Sequence, residues 1–302
     1  MLLVEKQTLD AIEWPWLSVG VNLVAVGVNA VVGLWLVKGG LGTPALGVLG
    51  AGLGTIAAYS VAVSIYLWLS RHVPTLRRWL CDDELCGWKR EFQVQRAEGV
   101  PMGLQYMLET GATALAGVLV GLFGAVALAA NQITLSVAMI VYMAPLGIAA
   151  AAGIRLSQAV GAGSTAALWP LSKAALMVVA VWMIATSSAM ALGGRWIASW
   201  FTDERAVIAG AASMFVVVSL MQVADGIQSV SLGALRGLLD SRWPTHVSLW
   251  CYWAVALPAA WLMAKPLGWG PAGVWLGFGI GLVVAAVALT IRLKRCTSRL
   301  SA

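Results

Sequence analysis

The chain has 302 residues, of which 60% are hydrophobic and 11% are charged, and its mean hydropathy is +0.86. This composition excludes a water-soluble globular domain and predicts a polytopic membrane protein. The net charge of +6 does not indicate a nucleic-acid-binding protein, because the basic residues lie between apolar stretches and form no patch interleaved with aromatic side chains.

Eight segments are apolar over about 20 residues, the length that a helix needs to cross the ~30 Å hydrocarbon core of a bilayer. We therefore predict an all-α protein with eight transmembrane helices, at residues 17–37, 48–70, 101–121, 126–154, 169–192, 206–235, 245–264 and 271–293. The fourth segment contains Pro145, where we expect a tilt or a kink.

The distribution of basic residues predicts the orientation of the chain. Fifteen Lys and Arg residues fall on one side of the predicted spans and four on the other, which is a strong positive-inside bias. We therefore expect a multi-pass protein of the plasma (inner) membrane with both termini in the cytoplasm. Acidic residues interrupt the first stretch of the chain, so no cleavable leader is predicted.

Residues 41–48 and 267–274 have related sequences, LGTPALGV and LGWGPAGV, and each precedes a glycine-rich apolar segment. Such similarity predicts that the last two helices of two duplicated six-helix units begin here. We therefore predict a remnant of an N-terminal lobe at residues 1–70 and a complete six-helix C-terminal lobe at 100–302. Between them, the polar segment 71–99 is predicted to be a cytoplasmic linker that is partly an amphipathic surface helix.

Only Glu109 and Asp225, of the 13 acidic residues, lie inside predicted spans. No Lys or Arg is expected at a comparable depth to neutralise them. Each carboxylate must therefore be protonated, hold a cation or face water, since burial disfavours the charged form. A purely structural carboxylic acid is the alternative, and we favour a cation-binding site at both residues.

Polar side chains accompany the two carboxylates at helical spacing. Gln105 lies one turn before Glu109, and Gln222 and Ser229 share a helix face with Asp225. Asn131 and Gln132 add amides from the next predicted span, although amides in spans also form hydrogen bonds between packed helices. The candidate residues that line a cavity are Gln105, Asn131, Gln132, Gln222 and Ser229.

Other chemistries find no support in the sequence. No nucleophile, histidine and acid occur together, and neither HExxH nor a phosphate-binding GxxxxGK[ST] loop is present, so we do not expect an enzyme. Cys81 and Cys86 in CDDELC are too loosely spaced for a typical zinc motif, and two unpaired loop thiols are favoured over zinc or a disulfide. We expect no metal site and no organic cofactor.

Several ordered stretches resemble the MATE (multidrug and toxic compound extrusion) family. Similarity to its C-terminal lobe is carried by PMGLQYMLE at 101–109, LAANQI at 128–133, YMAPLGIAAAAGIRLSQAVGAG at 142–163 and ADGIQSVSLGALRGLLDSRWP at 224–244. TPALGVLGAGLGT at 43–55 is similar to the end of the family's N-terminal lobe.

The resemblance implies a transporter in which two six-helix lobes alternate between inward-open and outward-open states. It implies that Na⁺ or H⁺ moving in drives small lipophilic organic cations out, and that Glu109 and Asp225 correspond to the C-lobe carboxylates linked to this coupling. It also implies that the first four family helices, including the one with the N-lobe aspartate, are absent from this chain.

Two alternatives to multidrug efflux remain open. The first is a truncated, non-transporting membrane protein or an assembly partner of another chain. The second is a transporter of lipid-linked or polysaccharide substrates, although such a cavity usually needs cationic side chains for phosphate. The choice between Na⁺ and H⁺, the substrate range and the oligomeric state also remain open.

Overall fold

Apolar segments of membrane length form helices, because a helix satisfies every backbone hydrogen bond within the segment. The computed structural model describes residue 9 and residues 14–39, 44–73 and 88–301. Within these residues the chain is helical, without strands. The helices are α1 (Pro15–Lys38), α2 (Val48–His72), α3 (Trp88–Gly121), α4 (Ala125–Gly161), α5 (Leu168–Ser199), α6 (Arg205–Gly237), α7 (Arg242–Ala264) and α8 (Gly270–Ser301). The all-α membrane fold is confirmed.

Seven of these helices are long and apolar enough to cross a membrane, as judged over the described residues. The helix that does not reach this level of hydropathy is α3, because Gln105 and Glu109 interrupt its apolar part. The eight predicted spans therefore all coincide with helices. The least hydrophobic of them, α3, carries the candidate carboxylate Glu109.

The beginning of α3 lies within the segment predicted to be a partly helical linker, residues 71–99. Residues 88–99 are helical and continue without a break into the span. Contacts from the start of α7 hold this part of α3: Ser241 donates a hydrogen bond to the Glu98 carboxylate, and Thr245 donates one of 2.9 Å to the Pro101 carbonyl. Residues 74–87 of the predicted linker, with Cys81 and Cys86, lie outside the described residues.

The chain divides into two compact units, Met1–Lys89 and Arg90–Ala302. In the first unit, α1 and α2 pack closely at glycines, since a Cβ on Gly54 would lie 2.6 Å from the Gly33 Cα atom. The Asn29 amide donates a 3.4 Å hydrogen bond to the Thr55 hydroxyl. Asn29 therefore links two packed helices, which is a common role of amides in spans.

Helix α6 is the central element of the second unit. It packs against α4, α5 and α8, and 16 of its residues are buried, compared with eight in α5. Because α6 carries Gln222, Asp225 and Ser229, these polar side chains lie within the bundle and not on its lipid-facing surface. Bundle-facing positions are where ionisable residues in membrane helices are tolerated.

Small residues bring α4 and α6 into backbone contact. A Cβ added to Gly153 on α4 would lie 2.8 Å from the Gly233 carbonyl oxygen on α6, and Cβ atoms on Gly233 and Gly237 would collide with the backbone of Ala149 and Gly153. Two small residues spaced four apart on each helix allow this close approach. The crossing fixes α4 and α6 against each other.

Candidate cation-binding site

Two helices bring the candidate carboxylates together. Glu109 lies on α3 and Asp225 on α6, both are half-buried, and they are close enough to interact electrostatically. Two negative charges in a desolvated setting repel each other, so a bound cation or a proton relieves the cost of placing them together. This pair is the chemical centre of the site.

Hydroxyl groups from three helices surround the pair. Tyr142 on α4 interacts with both carboxylates and forms a hydrogen bond with the Ser229 hydroxyl on α6. Tyr252 on α7 forms a hydrogen bond with Glu109 and accepts one from the Gln228 amide nitrogen. Because Gln228 donates to the Tyr252 oxygen, the hydroxyl hydrogen of Tyr252 is free to be donated to the Glu109 carboxylate.

A π-helical segment positions Tyr252. Within α7, Leu249–Ala256 is π-helical, a local rearrangement that is frequent at functional sites. Tyr252 is only 1% exposed, and its ring lies 5.7 Å from that of Phe278 on α8. The adjacent Trp253 donates a 3.1 Å hydrogen bond to the Leu108 carbonyl of α3. Two consecutive residues of this segment therefore hold α3 next to Glu109.

Arg236 corrects one expectation from the sequence. We expected no cationic side chain at the depth of the carboxylates, but the Arg236 guanidinium interacts electrostatically with Glu109. It also donates a 3.3 Å hydrogen bond to the Gln105 amide oxygen, one helical turn before Glu109. The long side chain carries its charge from the end of α6 toward the site, a reach that residue counting along the chain does not reveal.

Three buried glutamines near the carboxylates have unused polar atoms. The Gln105 amide nitrogen and the amide oxygens of Gln222 and Gln228 have no hydrogen-bond partner. The Gln222 nitrogen, in contrast, donates a 3.3 Å bond to the Ala138 carbonyl of α4. A buried polar atom without a partner costs about 1–3 kcal/mol, so these atoms suit a site that water or a ligand completes.

The two amides predicted from α4 are placed differently. The Asn131 side chain is 3% exposed, and its oxygen accepts a 2.7 Å hydrogen bond from the Trp275 indole nitrogen of α8. Gln132 is exposed and is not brought to the carboxylates. Tyr142, Tyr252, Gln228 and Arg236 were not predicted as site residues. The two tyrosines were missed because tyrosines in apolar spans are typical of interfacial residues. In addition, the π-helical segment that positions Tyr252 has no signal in the sequence.

Among the described residues, no group of three or more His, Cys, Asp and Glu side chains could hold a metal ion. The residues of the site offer carboxylate, hydroxyl and amide oxygens. Such oxygens are suited to a proton, a hard monovalent cation or the charged group of an organic cation.

A polytopic bundle with a half-buried pair of carboxylates is typical of ion- and substrate-translocating membrane proteins. The MatE family model matches residues 101–262, and the chain belongs to the MATE family. The match begins within α3 and ends within α7, and it includes Glu109, Tyr142, Asp225 and Tyr252.

Curated relatives are similar over most of this chain. The probable multidrug resistance protein NorM of Agrobacterium fabrum is 36% identical over 295 residues, which cover 90% of this chain and 60% of that protein. The protein of the same name from Bradyrhizobium diazoefficiens is 33% identical and is covered over 64% of its length. This chain thus spans about 60% of the length of the curated relatives that it matches. Both relatives are named as probable multidrug resistance proteins.

Solved structures share the fold. A mutant of the Vibrio cholerae MATE transporter VcmN superimposes with a TM-score of 0.88 at 20% identity, over 97% of this chain and 65% of that one. The eukaryotic MATE transporter AtDTX14 gives a TM-score of 0.85 at 19% identity, over 97% of this chain and 66% of that one.

Proposed function

We propose that this protein takes part in multidrug efflux by antiport, in which Na⁺ or H⁺ entering the cell drives small lipophilic organic cations out. The main support for this proposal is the pair Glu109 and Asp225, which lie on α3 and α6 and are surrounded by hydroxyl groups. The names of the NorM relatives support multidrug resistance as the process.

The proposed mechanism is a competition for the carboxylate pair. Either a coupling ion or a cationic drug can neutralise the pair, and occupation by one lowers the affinity for the other. Tyr142 is half-buried and adds aromatic surface beside the charges, so flat lipophilic cations would bind by area and shape with little further selectivity.

The neighbouring polar residues have supporting roles in this proposal. Gln105 and Ser229 would line the site, because Gln105 accepts a hydrogen bond from Arg236 and Ser229 forms one with Tyr142. Gln222 would line it through its buried amide oxygen, which has no protein partner. Asn131 would shape the wall through Trp275. Gln132 is exposed, so it would contact only a substrate that approaches α4 from outside this bundle.

The test replaces the carboxylates with amides of the same shape. Glu109→Gln and Asp225→Asn should abolish ethidium movement driven by a Na⁺ or pH gradient in membrane vesicles, without lowering the amount of inserted protein. Asp203→Asn is the matched control, because Asp203 is an exposed acid between α5 and α6. Gradient-driven transport that persists at wild-type rate in Asp225→Asn would remove this residue from the site.

The second candidate function is a membrane protein that does not transport alone or that assembles with another chain. It is favoured by the coverage of only about 60% of the relatives' length. The intact mass and the molecular size of the protein from its native membrane separate the two candidates. A 31.7 kDa protein that moves no cation alone but co-purifies with a second chain would favour the assembly partner.

Orientation is part of the proposal. With residues 1–70 as the end of an N-terminal lobe and 100–302 as the C-terminal lobe, the positive-inside pattern places both termini in the cytoplasm. Reporters that fluoresce only in the cytoplasm, fused to each terminus, should both be bright. A dark fusion at either end would contradict this topology.

A further inference from the structure

Arg236 connects the end of α6 to the part of α3 that carries Glu109. Its guanidinium donates hydrogen bonds of 3.0 Å to the Tyr106 hydroxyl and 3.3 Å to the Gln105 amide oxygen, and its central carbon lies 4.7 Å from the centre of the Tyr106 ring. The Arg236 Nε atom is buried without a partner. The guanidinium is therefore held by neutral groups on α3.

Acidic groups near the end of α6 are engaged elsewhere. Asp240 forms a 2.8 Å ion pair with Arg292 of α8, and Glu98 accepts a hydrogen bond from Ser241. Gln105 and Tyr106, which hold the guanidinium, lie four and three residues before Glu109 on α3, and the charges of Arg236 and Glu109 interact electrostatically. Arg236 thus contributes its positive charge to the cation site.

The charge of the site depends on three side chains. When both carboxylates are ionised, Glu109 and Asp225 contribute two negative charges, and Arg236 contributes one positive charge from within the chain. Asp225 lies 11 residues before Arg236 on α6, about 16 Å along the helix. The guanidinium therefore stabilises the negative charge of Glu109 more than that of Asp225. The site as a whole is left with one negative charge to be neutralised.

We propose that Arg236 is an internal counter-cation that limits the Glu109–Asp225 site to one added positive charge, and thereby selects monocations over dications. This inference rests on the proposed function, because it specifies the charge of the cations that the same site accepts. The physical reason is that a second positive charge would enter a neutral site of low dielectric, with Arg236 repelling it. At an effective dielectric constant of about 20 and a separation of about 8 Å, that repulsion corresponds to at least a tenfold difference in affinity.

Ethidium and propidium provide a matched pair of probes, because they share one aromatic ring system and carry one and two positive charges. Their affinities are measured by fluorescence with the purified protein in nanodiscs of phosphatidylcholine, whose zero net charge does not itself attract the dication. Wild type should bind ethidium at least tenfold more tightly than propidium. Arg236→Gln should reduce that ratio at least tenfold, whereas Arg236→Lys, which retains the charge, should keep most of it.

Arg242→Gln is the control for the loss of a positive charge. Arg242 is exposed at the start of α7, six residues beyond Arg236, and the same substitution there should leave the ratio unchanged. An unchanged ratio in Arg236→Gln, or an equal change in Arg242→Gln, would overturn the role of Arg236.

Failure of the proposed function gives a different result. If wild type binds neither dye, or if Glu109→Gln and Asp225→Asn bind both as wild type does, the cation site itself is wrong. Infrared spectroscopy then still tests Arg236. Loss of the guanidinium should increase the carbonyl signal of protonated carboxylic acid, and the increase should vanish in Arg236→Gln/Glu109→Gln. Without such an increase, Arg236 is not a counter-cation of Glu109.

Discussion

The indole nitrogen of Trp182 on α5 donates a 3.3 Å hydrogen bond to the Val141 carbonyl on α4. Val141 lies four residues before Pro145, so its carbonyl is the one that the missing N–H of the proline leaves without a helical partner. Helix α4 nevertheless continues from Ala125 to Gly161. A neighbouring helix thus supplies the donor that proline lacks, directly beside Tyr142.

Trp182→Phe should therefore lower the stability of the protein, because it leaves the Val141 carbonyl without a donor. We expect a loss of about 0.5–1.5 kcal/mol, in the range of single hydrogen bonds between membrane helices. In a Pro145→Ala background the alanine N–H can bond to Val141, and the same substitution should cost less. The midpoint of thermal unfolding in detergent, measured for the four proteins of this cycle, gives the coupling.

Trp250→Phe is the control for the cycle, since Trp250 is 66% exposed. It should change the unfolding midpoint little in either background. Additive effects of Trp182→Phe and Pro145→Ala would show that the indole does not compensate for the proline.

Gly233→Ala should destabilise the second unit, because the new methyl group would collide with the Ala149 carbonyl. Overpacking of this kind costs about 1–3 kcal/mol. Gly147→Ala is the matched control on α4, where a Cβ has no atom within 4 Å, and it should be neutral or slightly stabilising. Equal unfolding midpoints for the two variants would contradict the close approach of α4 and α6.

Tyr252→Phe should weaken ethidium binding about tenfold while removing only one oxygen atom. The substitution deletes the hydroxyl that contacts Glu109 and leaves the Gln228 amide nitrogen buried without its acceptor. Tyr66→Phe is a suitable control, because Tyr66 is also a buried tyrosine but belongs to the first unit. If both variants bind ethidium equally well, Tyr252 does not belong to the site.

Asn131→Leu should lower stability and not the ethidium affinity of the folded fraction. It removes the acceptor of the Trp275 indole, which leaves a buried donor unpaired at a cost of about 1–3 kcal/mol. The double variant Asn131→Leu/Trp275→Phe removes both partners and should cost less than the sum of the single changes. A specific loss of dye binding in Asn131→Leu would instead place this amide in contact with the cation.

The helical fold could be predicted from the sequence because hydropathy alone forces apolar segments of this length to be helices. The residues at which the helices begin and end could not be predicted in this way. Pro44 precedes α2 by four residues, whereas Pro271 is the second residue of α8, although both lie in the similar segments LGTPALGV and LGWGPAGV. Glycine and proline indicate the approximate ends of membrane helices, but packing determines the residue at which a helix begins.

The carboxylates of the site were visible in the sequence because charge is rare inside spans. Their partners were not. Tyr252 lies in a π-helical segment, so the regular spacing of 3.6 residues per turn does not predict which residues of α7 face α3. Arg236 reaches Gln105 through its side chain, which position along the chain does not reveal.

At the crossing of α4 and α6, Gly153 and Gly233 bring the two backbones so close together that no added side chain fits between them. We therefore expect α4 and α6, which carry Tyr142 and Asp225, to move together as one rigid unit. Access to the carboxylates would then open where α3 and α7 meet this pair of helices. The hydrogen bonds of Tyr252 and Trp253 join α7 to α3, and the proposed transport would require them to break and re-form while α4 and α6 stay together.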